Sequence, residues 1–183
     1  MWLRGYAATP LLVLASPGSA LAQDRFEVAT IAGPLRAVCI EGAHGSVATY
    51  VLNGRRVPGL DHGCETPQPA VTLSRIWESP RNTTLLLVAA SSEEARLIRL
   101  IHVPIDAAPV AVEFDVDHAT SARQLSTNRF RLLQQAHDPE ENWTCQYDID
   151  FAASSVAWRV VRSSDPDLDD SACGAELITD LQQ

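Results

Sequence analysis

No lysine occurs in the 183 residues, so positive charge rests on 14 arginines, set against 23 Asp and Glu for a formal net charge of −9 at pH 7. That shortage of cations removes the basic stripe with which nucleic-acid binders neutralise phosphate, and nucleic acid is not expected as a partner. Long hydrophobic runs are missing too. The N-terminal apolar stretch is broken by Pro17 and Gly18, far short of the roughly 20 residues that span a bilayer, and residues 179–183 are too polar for an anchor signal.

Catalytic signatures are equally scarce. Without C-x-x-C there is no thiol redox motif and no paired zinc knuckle. No G-x-S-x-G elbow exposes a serine, no glycine cluster precedes a helix to cradle phosphate, and no self-similarity at fixed spacing announces a propeller or solenoid.

What is present begins with an address. Arg4 heads the chain, an apolar stretch runs through residues 11–15, and Ala20-Leu21-Ala22 closes it with an A-x-A end, the three parts of a secretory signal peptide. Cleavage after Ala22 leaves a domain of residues 23–183, 183 − 22 = 161 residues carrying 23 acids and 14 − 1 = 13 arginines, a net charge of −10. The first cysteine, Cys39, lies too far on to carry a lipid anchor. A soluble periplasmic or extracellular protein is expected, one domain large enough to bury about 70% of its unfolded surface.

An even set of cysteines in an exported chain argues for two disulfides among Cys39, Cys64, Cys145 and Cys173. Three pairings are possible. Cys39 with Cys64 and Cys145 with Cys173 is favoured, since it closes two loops of similar size, one near each end of the domain.

Period-two alternation recurs along the chain. Cys145, Tyr147, Ile149 and Phe151 share one face against Gln146, Asp148 and Asp150, and Val110, Val112, Phe114 and Val116 alternate with Ala111, Glu113, Asp115 and Asp117. Both runs predict half-buried strands with one side in water. Further strands are expected over 26–32, 35–41, 46–52, 70–77, 84–90, 129–135 and 156–162, with Trp158 in the core. Asn53-Gly54 marks a hairpin because both turn positions need φ > 0, and 152–155 turns one strand back on the next. Ser91 and Glu94 resemble a capping box, yet 95–102 reads better as a buried strand than as a helix. Residues 120–126 are a second helical candidate. The fold class is all-β and mainly antiparallel, a single-domain sandwich or barrel with at most one or two short helices.

Three readings of function follow. The first is a non-enzymatic binding protein, an inhibitor or immunity-type protein for a basic partner. Trp143, following Glu140 and Glu141, is an aromatic rimmed by acids that would either anchor that partner or staple its own loop. The second is a calcium-dependent module: Asp165, Asp167, Asp169 and Glu176 stand at the ligand spacing of an EF-hand loop, although Asp170 occupies the sharp-turn glycine position and Pro166 stiffens the start. The third is a carboxylate hydrolase, which needs a cleft with two convergent acids. Asp61-His62 and Asp115, Asp117, His118 place imidazoles beside carboxylates without metal-site spacing and read as turn histidines. No catalytic residue or cofactor is assigned.

Overall fold

The computed structural model describes residues 27–43, 45–64, 71–90, 96–114, 119–135, 143–163, 165–179 and 181. Fourteen strands run through them: β1 (Glu27–Thr30), β2 (Gly33–Gly42), β3 (Gly45–Leu52), β4 (Arg55–Arg56), β5 (His62–Gly63), β6 (Val71–Glu78), β7 (Asn82–Ala90), β8 (Arg96–Pro104), β9 (Val110–Phe114), β10 (Ala119–Ser126), β11 (Arg129–Gln135), β12 (Trp143–Asp150), β13 (Ser155–Ser163) and β14 (Ala175–Ile178). Among the described residues helix is confined to two 3-10 turns, Pro58–Leu60 and Asp170–Ala172. All strand pairs are antiparallel.

The strands form three open sheets rather than a closed barrel. Sheet A has the order β1-β2-β3-β4 with β5 also on β3, sheet B the order β14-β9-β8-β7-β6, and sheet C the order β10-β11-β12-β13. Side-chain alternation makes sheet B the middle layer. Leu85, Leu87, Ala89, Ile101, Val103 and Ala111 pack with Leu35, Ala37, Ala48, Tyr50 and Leu60 of sheet A and its 3-10 turn. The residues between them in sequence, Ile98, Leu100, Val112 and Phe114, pack with Phe130, Leu132, Tyr147 and Ile149 of sheet C. A sheet covered on both faces loses the alternation of polar and apolar positions, which is why β7 and β8 read as near-continuous Leu, Val and Ile.

Local sequence explains the connections. Asn53 and Gly54 both adopt positive φ, 47° and 80°, and turn β3 into β4 as the hairpin signal predicts. Gly33, at φ 111°, starts β2 where a Cβ would sit 2.7 Å from the Asn53 side chain, so the two turns of sheet A pack against each other. Both disulfides form the favoured pairing. Cys39–Cys64 ties β2 to the end of β5 within sheet A, and Cys145–Cys173 joins β12 of sheet C to the approach to β14 of sheet B.

Three expectations are corrected. The helical candidate 120–126 is strand β10, because Ala122 and Gln124 pair with Leu132 and Phe130 while Arg123 points outward opposite Arg131. The far side of β9 is not in water: Ala111 is fully buried and Glu113 faces sheet A. Trp158 is not core. It pairs with Tyr147 on the inward side of β13 but remains 37% exposed, because β13 is the edge strand of sheet C and the strand opposite, β14, is only four residues long.

Leu100, fully buried between sheets B and C, and Val38, 49% exposed on sheet A, give a paired prediction. Leu100→Ala is expected to lower the unfolding free energy by about 3 kcal/mol in urea titration, through lost burial and a residual cavity. Val38→Ser should change it by less than about 0.5 kcal/mol.

Candidate functional site

Two places gather the polar side chains that a function would use. The first lies between sheets A and B. Arg99 of β8, nine-tenths buried, donates from Nε to Glu113 Oε2 at 2.7 Å and from Nη1 to the Leu60 carbonyl at 2.6 Å, with Nη2 also 2.6 Å from Glu113 Oε2. Glu113 in turn stands directly opposite Glu176 of β14, which is exposed. Nearby, the Nδ1–H of His62 donates to the Gly63 carbonyl at 2.7 Å, an assignment that leaves Nε2 to accept the hydroxyl of fully buried Tyr50 at 2.9 Å. Asp61 pairs through Oδ2 with Arg56, and its buried Oδ1 has no partner among the described residues.

The electrostatics make this cluster a lock rather than an acid-base centre. Burial pushes the Tyr50 hydroxyl up, beyond any useful proton transfer, and pushes His62 down, with Arg99 reinforcing the second effect. Both ring nitrogens of His62 are engaged, and Arg99 uses both ends of its fork. Sheet A gains a second polar tie at its other end, where the Ile31 N–H donates to Thr83 Oγ1 at 2.8 Å.

His102, for which the sequence gave no signal, is buried between sheets B and C. Its Nδ1 lies 3.1 Å from Thr84 Oγ1 and its ring stacks on Phe151 at 4.7 Å. Desolvation alone brings its pKa down to about 4.

The second place is one end of the B–C sandwich. β7 ends and β8 begins there, as do β9 and β10, β11 and β12, and β13 and β14; β6 also starts there. The segments joining these strand ends, 65–70, 91–95, 115–118, 136–142 and 164–174, carry 1, 2, 2, 3 and 4 acids, 12 of the chain's 23, and none of its 14 arginines. At the opposite end the connections 79–81, 105–109, 127–128 and 151–154 hold one acid, Asp106, and one arginine, Arg81. The Cys145–Cys173 disulfide pins the acidic end together.

The predicted site residues distribute as follows. Asp165, Asp167 and Asp169 lie exposed in the link from β13 to β14, and Glu176 is on β14. Asp165 Oδ1 accepts from Asp167 N–H at 2.9 Å, Asp169 Oδ1 accepts from the N–H of Ser171 at 2.8 Å and from its hydroxyl, and Asp170 Oδ1 accepts from Val160 N–H at 2.7 Å. These bonds to Ser171 hold the Asp169 carboxyl below its usual range. Among the described residues no three His, Cys, Asp or Glu side chains are grouped to hold a metal ion. Trp143 opens β12 half-buried against the B–C core, its indole N–H inside and without a partner among the described residues. Glu140, Glu141 and His118 lie outside the described residues. The Arg99–Glu113 pair was missed by sequence reasoning; a charge inside an otherwise apolar strand, Leu97-Ile98-Arg99-Leu100-Ile101, was the available signal.

Two predictions follow from the buried groups. His102 has a folded pKa of about 4 against 6.5 unfolded, so the unfolded chain binds the extra proton between those values. Stability is complete above about pH 6.5 and falls by about 3 kcal/mol as pH drops to 4, and His62, shifted in the same sense, adds to the loss. Urea titrations at pH 7.5 and 4.5 should show this, with His102→Leu removing most of the His102 share. Separately, Arg99→Leu should cost about 3 kcal/mol by stranding Glu113, while Arg99→Leu with Glu113→Leu recovers most of it.

No protein-family model, no curated protein and no solved structure matches this chain.

Proposed function

We propose that this chain is a small exported binding protein without catalytic activity, an inhibitor or immunity-type protein whose acidic end covers a basic partner. The observation that carries the reading is the charge distribution: 12 acids and no arginine in the segments joining the strand ends at one end of a rigid, disulfide-linked sandwich. Connections that carry charge of one sign steer an oppositely charged partner and accelerate encounter. Glu140 and Glu141, in the segment that Trp143 follows, are the residues nominated to meet it. Two disulfides support a periplasmic or extracellular setting, where thiols stay oxidised. The polar cluster between sheets A and B favours a structural over an enzymatic role, because both ring nitrogens of His62 and all three side-chain nitrogens of Arg99 already have partners.

The test is capture from an envelope or culture extract, followed by association kinetics on the captured protein. A basic partner whose on-rate falls at least about tenfold between 0.05 and 0.5 M salt is expected. Asp138→Asn with Glu140→Gln and Glu141→Gln should slow association, whereas Arg81→Gln at the opposite end should not. A partner indifferent to salt and to the triple variant removes the reading.

A calcium-dependent reading of Asp165, Asp167, Asp169 and Glu176 is separated by thermal unfolding. Because Asp165 and Asp169 already cap their own loop, millimolar calcium is expected to leave Tm unchanged. A calcium-induced rise lost in Asp167→Ala with Asp169→Ala would install the calcium site instead.

A further inference from the structure

Strand β13, at the edge of sheet C, exposes two large apolar side chains. Trp158 is the one exposed aromatic side chain among the described residues, at 37%, and Val161, three positions on, is 44% exposed. Only Val156 and Val160 of the strand pack against the B–C core. A register shift between Thr144 and Cys145 leaves Val161 as the unpaired residue of a bulge, which turns it out of the sheet.

Charge flanks this apolar stretch on both sides. Arg159 and Arg162 are exposed and form no ion pair among the described residues; Asp148, on the same face, feels the charge of Arg159 but is hydrogen-bonded by Arg131 Nε at 2.7 Å and by Gln146. Immediately beyond the strand come Asp165, Pro166 and Asp167, all exposed. The following 3-10 turn folds back along the strand, where Asp170 takes the free N–H of Val160. That contact blocks a neighbouring chain from adding a strand to this edge, so a partner must meet it through side chains.

We infer that the β13 edge is the interface of a twofold homodimer, with Trp158 and Val161 at its centre and Arg159 and Arg162 of each copy meeting Asp165 and Asp167 of the other. A second copy is the occupant the observations favour. Positive and negative patches lie side by side on one edge, and a twofold axis between them sets each against its opposite, the self-complementarity that an isologous contact requires. Trp158 on the inward side of the strand, Val161 at its bulge, and Arg159 and Arg162 on the opposite face give this edge the aromatic and arginine content of interface centres. Exposed Pro166 supplies an apolar counterpart for the partner's Trp158. The inference needs no added partner and stands apart from the binding role proposed above.

Analytical ultracentrifugation of the purified, disulfide-bonded chain decides it. A reversible dimer in the micromolar range is expected, weakened by salt. Arg159→Glu with Arg162→Glu should raise its Kd at least about tenfold, and adding Asp165→Arg with Asp167→Arg should restore it. Trp158→Ser should give monomer, and Val161→Asp, at the more exposed bulge position, should do the same while urea and thermal unfolding of the monomer stay as in the parent. A chain monomeric throughout the micromolar range, or a dimer that survives both charge reversal and Trp158→Ser, overturns the inference.

Discussion

A sheet buried on both faces can carry a charge only where the adjoining layer brings a partner for it, and Arg99 is where that happens here. The guanidinium sits in the middle strand of the middle sheet, between Leu87 and Glu113. It reaches the carbonyl of Leu60 in the overlying layer, so correct seating of sheet A is part of what solvates it. Removing the contact would leave a cation facing apolar packing, at a cost of several kcal/mol. The apolar surroundings set how tightly the layers stack, and the arginine sets where. Registration of sheet A over sheet B then places the 3-10 turn, Tyr50 and His62 in their observed relation.

Burial of β7, β8 and β9 on both sides also governs the distribution of charge. With the central strands mostly apolar and their few polar side chains, such as Arg99 and His102, buried, solvating groups are pushed to the connections and the outer faces. The outer face of sheet C is arginine-rich, with Arg129 and Arg131 answered by Asp150 and Asp148 across the strands, while the connections at one end take up most of the acids. Arg123, Arg159 and Arg162 on that face are exposed and form no ion pair among the described residues, so a net negative molecule carries a local positive surface.

Much of this was readable from residues alone, and the failures have specific causes. Alternation in 145–151 and 110–114, the Asn53-Gly54 turn and the disulfide pairing are local signals that the structure bears out. Whether a strand faces water or a third layer is not local, which is why Glu113 read as a solvated residue. Trp158 was misplaced for the complementary reason: inward direction is encoded by period two, but coverage depends on how far the opposite strand extends, and β14 stops after four residues. Residues 120–126 lacked a strong alternation and took their strand conformation from pairing with β11. The acidic end was visible only as composition until the strand directions showed which connections share an end.

The sequence order of the strands has its own consequence. Sheets A and C are each built from one continuous stretch of chain, but sheet B is completed by β14, which arrives after all of sheet C. Until residues 173–181 are in place, β9 has an open edge, Cys145 has no thiol to join, and the core between sheets A and B lacks fully buried Leu181. Long-range closure of this kind is slow and is exposed to misassembly while it waits. A chain emerging from its N-terminus would thus hold a partly formed middle layer until β14 appears, and that strand acts as the fastener of the stack.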